Sequence, residues 1–429
     1  MIKNAFEKVR TDDGISSKYQ IAIKRENPVY PLYERREDIR SPFARDYTRI
    51  LHSFGFRRLR HKTQVFFAPN NDHICTRLEH ALHVASIATT ICKQLGLNDE
   101  LANAIALGHD LGHAPFGHYG EYVLDDIWRE YIENLPRKNK GDACNYFWHE
   151  KHSLRVVDKI ETVKDCEGYQ QNLNLTYAVR DGIICHCGEV EFKPIFPRAD
   201  FIRLEEITCR AKYQPYTWEG CIVKVSDVIS YLGRDIEDAE MSEIINDSDL
   251  DELKKTVNQS SDLQLKDMSN SVVIHELIRD LCKESAPQKG IKFSRDGLEL
   301  HNKVRDFDNE KIYRDDEIET YKKYIDLMLT TIFKELKKEY DTDFVKCIKK
   351  MKQKDEMVYQ EFVKWLERYH KGFNGVYKEY IYSEKAIKRV GKIYDIKNER
   401  EFLIAIMDYM AGFTDNYAIR CFNDIVSII

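Results

Sequence analysis

Long apolar runs are missing from this chain of 429 residues, and with them any candidate membrane-spanning helix, which would need about 18–20 consecutive apolar positions. No CxxC pair occurs among the 11 cysteines, which follow no regular framework, and the N-terminus carries no secretory-signal pattern. They are therefore expected to be reduced thiols in a cytoplasmic protein. There is no GxxxxGK[ST] segment, so any bound phosphates must be held by something other than a P-loop. Excess positive charge is lacking too. The formal net charge is −6 and the pI about 6.2, which argues against a protein that coats nucleic acid but not against one local basic cleft. Internal repeats and low-complexity segments are absent, and strand-like alternation is scarce.

What is there is helical periodicity. Leu78, Ala81, Leu82, Ala85, Ile87 and Ala88 form a broad apolar stripe suited to a buried helix. Asp99 to Leu111 predicts a second apolar helix behind an Asn98-Asp99 cap, and Gly112, Pro115 and Gly117 break the chain after it. Ala143 to Val163 and Glu219 to Glu243 read as further helices. Gly188 to Pro215, with Pro194, Pro197 and Pro215, is looser and is expected to hold either a short strand pair or a lid-like loop. The polar opening, Met1 to Gly14, is expected to fray or lie on the surface. From about Asp249 charged amphipathic helices with polar joints dominate, ending in the apolar segment Phe402 to Phe413. The expected fold class is all-α: an N-terminal extension over 1–40, a catalytic helical core over 41–245, and a C-terminal helical region over 246–429 packed on that core, with room for one small strand pair.

The chemistry concentrates in HDLGHAPFGHYGE, His109 to Glu121, where histidines and acids crowd a stretch broken by glycines. Neighbouring helical side chains point about 100° apart. His109 and Asp110 can therefore share one ion only at a helix margin, with other helices supplying further ligands. His80 is the leading candidate, on a helix whose other face is apolar, and Asp227 follows because it interrupts the apolar run from Cys221 to Val225. Two imidazoles and two carboxylates form a mixed nitrogen and oxygen site that suits Mn, Fe, Zn, Ni or Co, or Mg where positions stay open, rather than a closed structural zinc site. Each residue alone has an ordinary structural explanation. The order His80, His109-Asp110, Asp227 is the signature order of the HD superfamily.

RRLRHKTQVF (Arg57 to Phe66), TRLEHALHVA (Thr76 to Ala85) and HDLGHAPFGHYGE together resemble the HD-domain dGTPase and dNTP triphosphohydrolase family. SPFARDYTRILHS (Ser41 to Ser53), SDVISYLGRDIEDA (Ser226 to Ala239) and MDYMAGFTDNYA (Met407 to Ala418) agree in order, so the resemblance runs from Ser41 to Ala418. It implies metal-dependent cleavage of a deoxynucleoside triphosphate into deoxynucleoside and triphosphate, with His80, His109, Asp110 and Asp227 as the divalent-metal ligands. It also implies a homo-oligomer. By motif position, His118 supported by Glu121 is the expected general acid, since an imidazole's ordinary pKa lies near neutrality, and His113 and His149 are expected at the triphosphate. Arg77 matches an arginine on the α-phosphate, which its guanidinium can grip by two oxygens. Gln64 and Val65 match sugar contacts. Tyr231 and Asp235 match positions near the ribose 3′-hydroxyl, where Val65 and Tyr231 would leave little room for a 2′-hydroxyl.

Two departures stand out. Glu150, Lys151 and His152 follow His149 where the family more often carries Asn and Gln. Val228 follows Asp227 where animal SAM/HD-domain relatives place a phosphate-binding lysine. Base preference therefore does not carry over. His149-Glu150-Lys151-His152 falls one residue short of a zinc-protease HExxH, and Cys185-His186-Cys187 lacks a second ligand pair and reads as structural. Trp365 to Tyr382 mixes aromatics with bases, as single-stranded nucleic-acid sites do, but an amphipathic helix packing those rings is the favoured reading. The alternatives to a triphosphohydrolase are an HD-superfamily nucleotidase releasing monophosphate or pyrophosphate, and a regulator that binds nucleotide or nucleic acid without turnover.

Overall fold

The computed structural model describes residues 4–11, 17–25, 39–66, 71, 73–136, 146–164, 170–187, 193–314, 316–369 and 393–427. The helices in chain order are α1 (Ser17–Ala22), α2 (Pro42–His52), α3 (Phe54–Arg58), α4 (Arg77–Leu95), α5 (Asp99–Gly108), α6 (Gly117–Tyr131), α7 (His149–Arg155), α8 (Tyr177–Cys185), α9 (Trp218–Met241) and α10 (Asp247–Ser260). They continue with α11 (Asn270–Glu284), α12 (Arg295–Phe307), α13 (Asp316–Lys337), α14 (Phe344–Lys352), α15 (Met357–Tyr369), α16 (Glu399–Ala411) and α17 (Asp415–Val426). The fold is all-α apart from one antiparallel pair, β1 (Thr162–Lys164) and β2 (Gln170–Asn172), with Val163 opposite Gln171. Among the described residues, no helix is long and apolar enough to cross a membrane.

The centre of the molecule is α4, α5 and α9, with α2 and α8 closing around α5. Local sequence explains their ends. Thr76 and Glu79 form a reciprocal capping box that starts α4, and Gly96 ends it at φ +79°. Asn98 caps α5 and Thr217 caps α9 through their side-chain oxygens. Between its caps α5 carries Ala102, Ala104, Ala106 and Gly108, all buried, so its neighbours approach closely enough to bury all of it beyond the first turn except half-buried Asn103.

The C-terminal helices share the same apolar cluster and reach back to the histidine-rich segment. Lys62 Nζ donates to the carbonyls of His113 and Ala411, the second at 2.7 Å. Asp415 accepts from Thr63 N and Phe116 N, both at 2.8 Å. Asp408 takes Arg155 Nε at 2.9 and 2.8 Å. Two acids of the Met407–Ala418 segment thus tie α7 and the 109–121 turn to the C-terminal layer.

Three sequence expectations change. The described part of the opening, residues 4–11, packs on the core, because Phe6 is fully buried, its ring 5.0 Å from that of Trp218, and Thr11 hydrogen-bonds Glu219; 1–3 and 12–14 lie outside the described residues. The strand pair lies at Thr162–Asn172 rather than between Gly188 and Pro215; there the described backbone forms a 3-10 turn at Leu204–Glu206 and an isolated bridge from Ile195 to Ile291. The helix expected from Ala143 to Val163 is shorter. Its described part runs His149–Arg155, widens into a π turn over Val156–Ile160 and gives way to β1, while 143–145 lie outside the described residues. The tract from Trp365 is helical to Tyr369, with Tyr369 packed against Trp365 at 4.6 Å, and 370–382 lie outside the described residues.

Candidate metal centre and phosphate cavity

His109 and His186 are placed by the same device. Each follows the last residue of a short apolar helix, α5 and α8, and each Nδ1 donates to the carbonyl three residues back: His109 to Ala106 at 2.7 Å and His186 to Ile183 at 2.6 Å. A carbonyl only accepts, so the proton sits on Nδ1 and the Nε2 lone pair is left for a ligand. His109 Nε2 is buried and has no hydrogen-bond partner among the described residues. Burial and the neighbouring His109 ring push the His186 pKa down to about 4, which keeps that imidazole neutral.

Three helices converge here. From α4, His80 Nε2 lies 2.9 Å from Asp227 Oδ1 of α9; His109 Nε2 is 3.5 Å from Asp110 Oδ1 and 3.8 Å from Asp227 Oδ1. Ligands bonded to one ion at about 2.1 Å lie roughly 3.0–3.5 Å from their neighbours, so this spacing fits a divalent cation. His80, His109 and Asp110 form one group that can hold an ion, His109, His186 and Asp227 a second, and Asp110, His149 and His186 a third, all overlapping. Burial opposes the charge of both carboxylates. For Asp110 the adjacent His109 and Arg77 outweigh it, and for Asp227 the His80 hydrogen bond and His109 do, so both are held well below the usual carboxylate range. Arg77 Nη1 is 2.7 Å from Asp110 Oδ2, both side chains buried, rather than paired with Glu79 on the surface.

Beyond Asp110 the chain turns through Gly112 and Gly117. A Cβ on Gly112 would sit 2.1 Å from Ser153 N, so only glycine lets α7 come this close. Gly117 has φ +62° and its Cα faces the Gln64 carbonyl. The closeness of α7 stacks His149 on His113, ring centroids 4.5 Å apart at 28°. His149 Nδ1 donates to Glu121 Oε2 at 2.8 Å, and His118 Nδ1 lies 3.5 Å from the same oxygen. Burial opposes a charge on His149, but Glu150, Glu121 and Asp110 raise its pKa to about 9. Buried His113 is pushed the other way by desolvation and by Arg77 and stays neutral.

Many of these residues line one cavity of about 800 Å³, while His109, His113 and Glu121 stand behind its wall. The wall includes His118, His149, Glu150 and Arg210, grouped around Glu121; His80, Asp110, Asp227 and His186 of the His/Asp cluster; and Gln64, Val65, Tyr231, Asp308 and the hydrogen-bonded pair Asp235 and Tyr313. On this wall Gln64 Oε1, Asp235 Oδ1 and both Asp308 carboxylate oxygens are buried without a partner among the described residues. Burial raises the Asp235 pKa to about 7, against the hydrogen bond from Tyr313, and burial beside Asp235 raises Asp308 well above the usual range. Sequence reasoning missed His186, Glu150, Arg210 and Asp308. For His186 a signal existed, a histidine ending an apolar helix just as His109 does. Arg210 and Asp308 stand on segments far in sequence from what they touch.

The HD domain family model matches residues 77–232, which span α4 to α9 and contain all four expected ligands. A deoxyguanosinetriphosphate triphosphohydrolase-like protein of Caldanaerobacter subterraneus subsp. tengcongensis is 33% identical over 404 residues, covering 94% of this chain and 90% of that one. The chain belongs to the dGTPase-like family of HD-domain proteins. Similarly named relatives include one of Rickettsia bellii, 31% identical across 91% of this chain and 92% of its own, and one of Clostridium tetani, 42% identical across 51% and 52%. Membership of this family, together with a His/Asp cluster that can hold a divalent metal, makes the chain a phosphohydrolase of the HD type.

Proposed function

We propose that the protein hydrolyses deoxynucleoside triphosphates to deoxynucleoside and inorganic triphosphate. One observation carries the reading: a single cavity is lined by His118, His149 and Arg210, by the His/Asp cluster, and by the unpartnered acceptors of Gln64, Asp235 and Asp308. Phosphates carry only acceptors and negative charge, so the imidazoles and the Arg210 guanidinium suit them better than the carboxyls of Asp235 and Asp308 do. A sugar hydroxyl is a donor and suits Gln64 Oε1 and Asp235 Oδ1. The α-phosphorus then falls beside His80, His109, Asp110 and Asp227.

When bound there, a divalent ion (Mn, Mg, Fe, Co, Ni or Zn) would polarise the phosphate and make a bound water more acidic. Arg77, fixed by Asp110, faces the same cavity and contributes charge at the α-phosphate. In the proposed step a water oxygen bonds the α-phosphorus and loses a proton to solvent as the bond to the 5′-oxygen breaks. The departing oxygen takes a proton from His118, oriented by Glu121, leaving a deoxynucleoside and triphosphate. His149 lines the triphosphate path, and His113, expected there too, is fully buried behind it with its ring stacked on that of His149. Val65 and Tyr231 crowd the sugar and select the deoxy form.

The test is to incubate the protein with each dNTP and NTP, singly and mixed, with Mg, Mn or Co, and to identify the products. Deoxynucleoside with triphosphate, from dNTPs and not NTPs, is the expected result. Release of pyrophosphate or orthophosphate would replace the reading with a nucleotidase, and tight binding without turnover would replace it with a regulator.

A further inference from the structure

Arg210 stands on the loop between the 3-10 turn at Leu204–Glu206 and α9, and its side chain lines the cavity with His118 and His149. There Nη2 donates to Glu121 Oε1, and Nε lies 3.5 Å from Glu150 Oε2. Its backbone is pinned on both sides: Arg210 N donates to Tyr146 Oη at 2.8 Å, and Ala211 N to Cys187 Sγ at 3.1 Å. The Arg210 side chain remains 44% exposed, whereas both acids it touches are buried. Other basic side chains on the cavity wall have partners of their own. Arg77 is tied to Asp110 and to the carbonyls of Thr63 and Gln64, and Lys322 Nζ lies 3.5 Å from the Tyr313 carbonyl and 5.9 Å from the centre of the Tyr119 ring.

Glu121 is the shared partner here. Its Oε1 takes Arg210 and His149 N, and its Oε2 takes His149 Nδ1 at 2.8 Å with His118 Nδ1 at 3.5 Å, a looser contact. An incoming triphosphate therefore meets a cation already paired with carboxylates. A guanidinium on a pinned backbone can turn from a carboxylate to a phosphate, since both present two oxygens to its fork.

We propose that Arg210 is an exchange latch: a triphosphate draws its guanidinium off Glu121 and Glu150, and Glu121, released, closes on His118. This rests on the triphosphate lying beside the imidazoles, as proposed above, and makes Arg210 both a triphosphate ligand and a positioning residue for His118.

The probe is inorganic tripolyphosphate, titrated calorimetrically into the metal-loaded full-length protein, so that no turnover is needed. Arg210→Ala is expected to weaken binding at least about tenfold, with Arg210→Lys recovering part of it. Glu121→Gln, which keeps the shape but removes the latch's holding charge, is expected to tighten binding several-fold while lowering kcat. In the Arg210→Ala background that gain should vanish. A gain from Glu121→Gln that persists without Arg210 would show a general charge effect and overturn the exchange. Unchanged tripolyphosphate affinity in Arg210→Ala, with its thermal unfolding unaltered, would overturn the ligand role. An enzyme found to release pyrophosphate would refute the proposed reaction without altering either of these outcomes.

Discussion

Gly112→Ala should disable the site through the backbone rather than through any reacting group. The added Cβ would lie 2.1 Å from Ser153 N, 2.4 Å from His152 C and 2.6 Å from Ser153 Cα, all main-chain atoms of α7. Ordinary contact begins near 3.4 Å, so α7 must withdraw by roughly 1 Å. It is held from behind, since Arg155 and His152 both reach Asp408. Withdrawal also stretches Gly112 N to Ser153 Oγ, 2.9 Å, and His152 Nδ1 to Gly112 O, 2.8 Å. Overpacking costs about 1–3 kcal/mol and each weakened hydrogen bond about 1 kcal/mol more, giving a loss on the order of 3–5 kcal/mol. His149 moves with α7, and a displacement of about 1 Å at a reacting centre can cost roughly 100-fold in rate. Urea unfolding followed by circular dichroism, with kcat/KM measured on the folded fraction, tests both. Gly297→Ala is the control, because its Cβ would meet Asp280 Oδ2, the movable end of a side chain, at the same 2.1 Å. It should cost less and leave kcat/KM unchanged. If Gly112→Ala loses under about 1 kcal/mol and keeps its rate within threefold, the close approach of α7 does not build the site.

Asp308→Asn should stabilise the protein more at pH 8 than at pH 4. The folded pKa of Asp308 is raised by burial, so the folded state keeps a proton that the unfolded chain releases above about pH 4, and stability falls as pH rises through that interval; a gain equal or larger at pH 4 would contradict this. Lys62 behaves in the opposite sense. Its folded pKa is lowered by burial to about 7, so between pH 7 and 10 the unfolded chain binds the extra proton and stability rises, by about 1.4 kcal/mol per pH unit from this group. Lys62→Met should lose that rise, as denaturant titrations at pH 7 and 9 would detect. Asp227→Asn should weaken divalent-metal binding on the order of 100-fold in equilibrium dialysis, and an unchanged stoichiometry and affinity would remove Asp227 from the ligand set. His118→Ala should abolish fast single-turnover hydrolysis of a bound dNTP; intact hydrolysis would exclude His118 as the acid.

The helical core was legible because its signals are local. Asn98, Thr76 and Gly96 mark helix ends, and the alanine-rich α5 announces a buried helix by composition alone. Asp227 drew notice as a candidate ligand because an acid beside an apolar run, as here after Val225, has little reason to be there without a partner, and the structure brings it beside His80 and His109. What stayed hidden depends on contacts distant in sequence. Phe6 is a single ring in a polar opening, and only Trp218, more than two hundred residues on, gives it a pocket. His186 was masked by its neighbours. Flanked by Cys185 and Cys187 it reads as structural, yet its imidazole faces the cavity beside His109 and Asp227. The strands β1 and β2 are each too short for period-two alternation to register, and Arg210 meets Glu121 across 89 positions of chain.

With the sugar held by the unpartnered acceptors of Gln64 and Asp235, the His/Asp cluster acts on the α-phosphorus. Hydrolysis of a dNTP in ¹⁸O-labelled water, with phosphorus NMR and mass spectrometry of the products, distinguishes this position from the others. One ¹⁸O in an intact triphosphate, with an unlabelled deoxynucleoside, is expected. A labelled deoxynucleoside, or deoxynucleoside monophosphate with pyrophosphate, would refute attack at the α-phosphorus with loss of the 5′-oxygen.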